Sequence, residues 1–164
     1  MARMEIEHAV QQSLLDRLID EDPWTSREGG MSRAESVRAL KASVRRDLEW
    51  LLNTRRAPDA GDVVLEEVRH SLYAYGFPDI TSMSRDSAST RAWLIQQVEE
   101  AITTFEPRLS GVHVSVVEAK TERRELRLLI EASLRMDPHP EHIVFDTVLE
   151  LSSGEYQIKE SDGA

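Results

Sequence analysis

The chain has 164 residues, 40% of them hydrophobic, and a formal net charge of −10. That length supports one real core, the acidic balance argues against a nucleic-acid partner, whose binders usually present a net basic surface, and the lack of cysteine removes disulfides and thiol catalysis. No run approaches the roughly 20 apolar residues that span a bilayer, and the N-terminus MARMEIEHAV lacks a signal peptide's apolar centre, so a cytoplasmic protein without direct membrane insertion is expected.

Residues 1–12 are polar, and Ser13–Asp20 (SLLDRLID) is a short amphipathic piece carrying Leu14, Leu15, Leu18 and Ile19. Apolar stripes usually face a protein's own core, so a turn or two of helix packed on the core is expected, with a peptide docked on a partner as the other reading. The Pro, Ser and Gly-Gly content of residues 21–30 reads as a loop, which makes residues 1–30 a partly flexible segment ahead of one domain over 31–164.

Ser32–Arg56 is the dominant helical signal. Val37, Leu40, Val44, Leu48 and Leu51 recur at steps of three and four, Ser32 with Glu35 makes a capping box, and Pro58 forbids continuation. Seven cations against three carboxylates give this stretch a local +4 within an acidic chain. Arg38, Lys41, Arg45 and Arg56 fall to one side of the apolar stripe, while Arg55 continues its line.

Residues 57–62 form a turn-rich connector, and residues 63–75 carry one short helical or extended element. Tyr75–Ile80 (YGFPDI) is a compact turn in which Gly76 permits positive φ and Pro78 pushes Phe77 toward extended backbone. A second helix, capped near Ser89 or Thr90, carries Leu94, Val98, Ala101, Ile102 and Phe105 and ends before Pro107. The period then changes to two. Val112, Val114 and Val116 mark a first strand, Leu126 to Leu134 a second, Ile143 to Leu151 a third, and Tyr156 with Ile158 a fourth, with hairpins at residues 119–124 and 136–141. The fold class is therefore α+β: N-terminal helices packed on one face of a C-terminal antiparallel sheet of three to four strands. Arg123, Arg124, Arg127 and Glu131 are candidates to guard an open edge.

Three phrases in this order, Arg46–Arg55 (RDLEWLLNTR), Tyr75–Asp79 (YGFPD) and Glu106–Leu109 (EPRL), with the early SLLDRL and the late strands, resemble the TssE family. These are baseplate wedge subunits of type VI secretion systems, similar to a small wedge protein of contractile-tailed phages with the historical label lysozyme-like. Phe77 stands where the family's phrase has Leu. The resemblance implies a cytoplasmic structural protein that links the wedge core to the contractile sheath and helps initiate sheath assembly. Its implied partners are the other wedge subunits and the sheath proteins, with strand exchange into the sheath. It carries wedge attachment onto Glu106, Pro107 and Arg108, and with the local +4 it adds Arg46, Asp47, Asn53, Arg55 and Arg56 to the expected partner surface.

The alternative is a lysozyme-like peptidoglycan hydrolase, which needs two carboxylates roughly 5 to 9.5 Å apart with one raised pKa. Neither Glu49 nor Glu106 has an apolar sequence setting with a motif-placed second carboxylate. His139 and His142 near Asp137 offer two metal donors where three or four must converge. No phosphate loop, dinucleotide fingerprint or nucleophile motif occurs, so no catalytic residue, metal or cofactor is expected.

Overall fold

Ser32 and Glu35 cap each other as their spacing predicts. The Ser32 hydroxyl accepts the Glu35 N–H at 3.3 Å and the Glu35 carboxylate accepts the Ser32 N–H at 2.8 Å, so two donors at the helix start are satisfied reciprocally. Helix α2 (Arg33–Asn53) follows directly. The computed structural model describes residues 9–19, 24, 31–60, 65–80, 88–120 and 125–160. The chain divides into two units, Met1–Val44 and Arg45–Ala164.

In the first unit, α1 (Leu14–Leu18) is capped by Ser13, whose hydroxyl accepts the Asp16 N–H. Its apolar side does not pack on a core: Leu14 and Leu18 are 70% and 73% exposed. Polar contacts hold the segment instead. The Ser43 hydroxyl donates to Asp16 Oδ2 at 2.6 Å and the Val10 N–H donates to the Ser36 hydroxyl at 2.9 Å. The expectation of an apolar seat for SLLDRL is thus corrected. The hydroxyl contacts of Ser43 and Ser36, rather than the apolar side, decide which side of this short segment faces inward.

The second unit begins within α2, where Leu48, Leu51 and Leu52 are buried. The helix stops at Asn53, so Arg55 and Arg56 do not continue its faces as the periodicity suggested. Tertiary pairing displaces the last turn. Phe77 N–H donates to the Thr54 carbonyl at 2.7 Å and Arg56 N–H to the Phe77 carbonyl at 3.0 Å, forming a parallel bridge between Arg55 and Phe77. Gly76, at φ +106°, makes that approach possible, because a Cβ there would lie 2.4 Å from the Thr54 carbonyl oxygen. The weakly patterned stretch between is a one-turn helix α3 (Glu66–Arg69) and a single tighter turn over Leu72–Ala74.

Helix α4 (Ala88–Phe105) buries Leu94, Val98, Ala101 and Ile102. Four strands follow as an antiparallel meander in the order β1 (Leu109–Lys120), β2 (Glu125–Leu134), β3 (Glu141–Glu150) and β4 (Glu155–Glu160). Along β2 and β3 the residues expected to face inward are the buried ones, from Leu126 to Leu134 and from Ile143 to Leu149. The α+β architecture is as expected. Strand β1 is longer than its valine alternation indicated and is interrupted by two register shifts, the first at Gly111, whose φ is +62°. Leu151 falls in the β3–β4 turn rather than on β3. Strand β2 is central, so Arg127 and Glu131 guard no edge; Arg123 and Arg124 lie outside the described residues.

Among the described residues, the buried hydroxyls of Thr147 and Tyr156 have no hydrogen-bond partner. Replacing Thr147 by the near-isosteric valine should therefore raise stability by about 1 kcal/mol, since it removes a desolvated, unpaired oxygen without opening a void. Urea denaturation would show a higher midpoint; a lower one would mean that the hydroxyl is bonded in solution.

Candidate functional site

The residues proposed from sequence do not form one patch. The structure brings four of them together. Arg46 and Asp47 come from α2, and Glu106 and Arg108 from the turn that Pro107 enforces between α4 and β1. Arg108 Nε donates to Glu106 Oε1 at 2.7 Å, its backbone N–H reaches the same oxygen at 3.2 Å, and Nη2 contacts Glu106 Oε2 as well. The same Nη2 donates to Asp47 Oδ2 at 2.6 Å. Arg46 completes the cluster from the other side, donating through Nε and Nη2 to Asp47 Oδ1 at 3.0 and 2.9 Å.

Burial grades across this cluster. The Glu106 side chain is 5% exposed, that of Arg108 is 23% and that of Arg46 is 30%. Burial works to lower the Arg108 pKa, but hydrogen bonds to Glu106 and Asp47 hold it above its ordinary value. The guanidinium is thus a fixed cation spanning two elements. Tyr75, from the YGFPD turn, packs edge-on against Phe105 at 5.3 Å, and its pKa is raised by burial and then by the carboxylates of Asp47 and Glu106. Tyr75 is a member of this neighbourhood that the residue pattern did not single out, because its role depends on where the turn returns. Outward from the cluster, the Arg46 guanidinium lies 5.1 Å from the centroid of the Trp50 ring, and Trp50 is 54% exposed. Pro107 is exposed.

The other three residues go elsewhere. Asn53 gives its whole side-chain amide to β4, donating to the Tyr156 carbonyl at 2.9 Å and accepting the Tyr156 N–H at 2.8 Å. Arg55 pairs with Asp79 at 3.3 Å on the surface, and Arg56 reaches Gln97 of α4 at 3.5 Å. Glu99, also on α4 and not flagged by any motif, accepts the Val114 N–H at 2.8 Å and faces His113 at 3.3 Å.

This arrangement has the character of a structural junction. Each carboxylate of the cluster is committed to a guanidinium, the half-exposed Trp50 ring lies beside Arg46, and no group of three or more metal-type side chains converges among the described residues. The family model for the baseplate wedge protein gp25 matches residues 38–139. The chain belongs to that family.

The match covers more than half of the chain and includes all three phrases, from Arg46 through Leu109. No curated protein matches. The gp25 family is structural and non-enzymatic, which sets aside the lysozyme-like alternative. As a gp25-family wedge protein, the chain is a component of a contractile tail-like baseplate and interacts with other baseplate or sheath components. No described helix is long and apolar enough to cross a membrane.

Proposed function

We propose that this wedge protein serves a type VI secretion baseplate on the cytoplasmic side of the inner membrane, joining the wedge core to the first ring of the contractile sheath and helping sheath assembly begin. The observation that carries the reading is the family match over residues 38–139, within which Glu106, Pro107 and Arg108 occupy an ordered turn. The wedge-facing surface is the outer side of that turn with Arg46 and its neighbours on α2. Arg55, paired with Asp79, and Arg56, reaching Gln97, lie apart from that cluster and are proposed as separate partner contacts beyond the helix end. Asn53 serves it indirectly, since its amide is engaged by Tyr156.

Co-purification with the candidate wedge and sheath proteins of its source tests this directly. Retention of both classes is the expected outcome. Retention of neither, at concentrations where the partners bind one another, would remove the assignment. Arg55→Glu gives a sharper test, because the Arg55 side chain is 72% exposed and its surface pair with Asp79 contributes about 0 to 1 kcal/mol. The variant should keep its melting temperature and lose roughly tenfold in wedge affinity, equivalent to about 1.4 kcal/mol. Unchanged affinity would take Arg55 off the partner surface.

A further inference from the structure

The two edges of the sheet are not equivalent. In an antiparallel ladder, opposed residues alternate between pairs that exchange backbone hydrogen bonds and pairs whose N–H and C=O groups point away from each other. Asn53 engages both backbone groups of Tyr156, so these face outward from β3 and the Leu149–Tyr156 pair is of the second kind. Two residues on, Ile158 presents its backbone the same way, and Arg45 Nη1 reaches its carbonyl at 3.4 Å. Propagating the alternation through Leu149–Leu126, Thr147–Leu128 and Phe145–Ile130 makes Val114 and Val116 outward-facing on β1. The Val114 N–H does point away from β2, into Glu99. Among the described residues no side chain reaches the outward groups of Val116.

Strand β4 would suit a second copy of itself. If two β4 strands paired antiparallel about Gln157, Tyr156 of each would lie opposite Ile158 of the other, and both residues carry outward backbone groups, so four hydrogen bonds would form. The same register sets Glu155 opposite Lys159 twice. All three residues on that outer face, Glu155, Gln157 and Lys159, are exposed. Backbone parity and charge are therefore both self-complementary, and a twofold contact of this kind closes on itself. Yet three of the four outward groups that each β4 would contribute are already taken, two by Asn53 and one by Arg45.

We propose that Asn53 and Arg45 act as an edge guard: the Asn53 amide substitutes for a paired residue of a fifth strand, closes β4 to a second copy of this chain, and leaves β1 as the edge where, at Val116, no described side chain takes the outward backbone groups. Unguarded edge strands invite this pairing, and proteins usually block it with charge, proline or covering elements. Here the block is made by two side chains of α2.

Analytical ultracentrifugation of the full chain and of Asn53→Ala tests the proposal. The native protein should stay monomeric, and Asn53→Ala should dimerise at least tenfold more tightly. Adding Lys159→Glu, which sets two carboxylates against each other at each of these cross-strand pairs, should return the variant to monomer, and the further exchange Glu155→Lys should restore the dimer. A monomeric, folded Asn53→Ala would overturn the proposal, as would a dimer indifferent to Lys159→Glu. If Asn53→Ala does not fold, amide exchange in the native protein decides. The Tyr156 N–H should be protected at least a hundredfold more than the Val116 N–H, and equal exchange at the two sites would also overturn it.

Discussion

Gly76→Ala should destabilise the protein by about 3 kcal/mol or more. Two costs add at this position. A Cβ would sit 2.4 Å from the Thr54 carbonyl oxygen and 3.0 Å from its carbon, both backbone atoms that cannot rotate away, and φ of +106° lies where L side chains rarely go. Relief requires the YGFPD turn to withdraw from the end of α2, which breaks the two backbone hydrogen bonds between Thr54, Phe77 and Arg56. It would also disturb Phe77, buried and packed edge-on against Tyr156 at 5.4 Å. For a chain of this size the loss corresponds to a fall in Tm of roughly 6 to 12 °C. Differential scanning calorimetry would measure it, and a fall under about 2 °C would show that the turn has another conformation within easy reach.

Arg108→Ala should cost about 2 to 4 kcal/mol of folding stability, before any effect on assembly. The reason is Glu106. With 5% of its side chain exposed, it depends on Arg108 for its charge-assisted hydrogen bonds, and deleting the guanidinium strands a carboxylate away from water. The Arg108 side chain is itself 23% exposed, which keeps the figure below that of a fully buried pair. Because the residue both holds the fold and sits beside the proposed wedge-facing surface, a loss of binding by Arg108→Ala alone would not separate the two roles. A double-mutant cycle with Glu106→Gln does. Neutralising Glu106 removes the stranded charge, so the double variant should recover at least about 1 kcal/mol relative to additivity in urea denaturation. Additive losses would mean that the two side chains contribute independently. Wedge affinity that stays low in the double variant after stability recovers, while Glu106→Gln alone binds normally, would assign Arg108 to the interface.

The corrected expectations share a physical origin. Residues three, four or two apart are brought together by one element's geometry, so the capping box, the buried stripe of α2, the apolar face of α4 and the alternation of β2 and β3 were all readable before any fold was known. The end of α2 was not. Nothing within Asn53–Arg56 prevents another helical turn, and the competition is won by Phe77, more than twenty residues away. SLLDRL has the composition of a core helix, yet the side it turns inward is the one that carries Asp16 to Ser43. Edge-guarding was assigned to Arg127 and Glu131 because strand order cannot be read from strand pattern, and the meander puts β2 inside.

By itself the sequence determined the element types, the change of period that makes the fold α+β, and the ordered phrases that place the chain among gp25-family wedge proteins. Each of these is local or is a matter of order along the chain. Only the tertiary structure decided that Arg108 spans 61 residues to Asp47 and that Asn53 spans 103 to the backbone of Tyr156. A guanidinium or an amide at a helix end has many possible acceptors within reach of an unfolded chain. Which one it meets is set by packing of the apolar faces, and the polar contact is then made where that packing leaves the side chain.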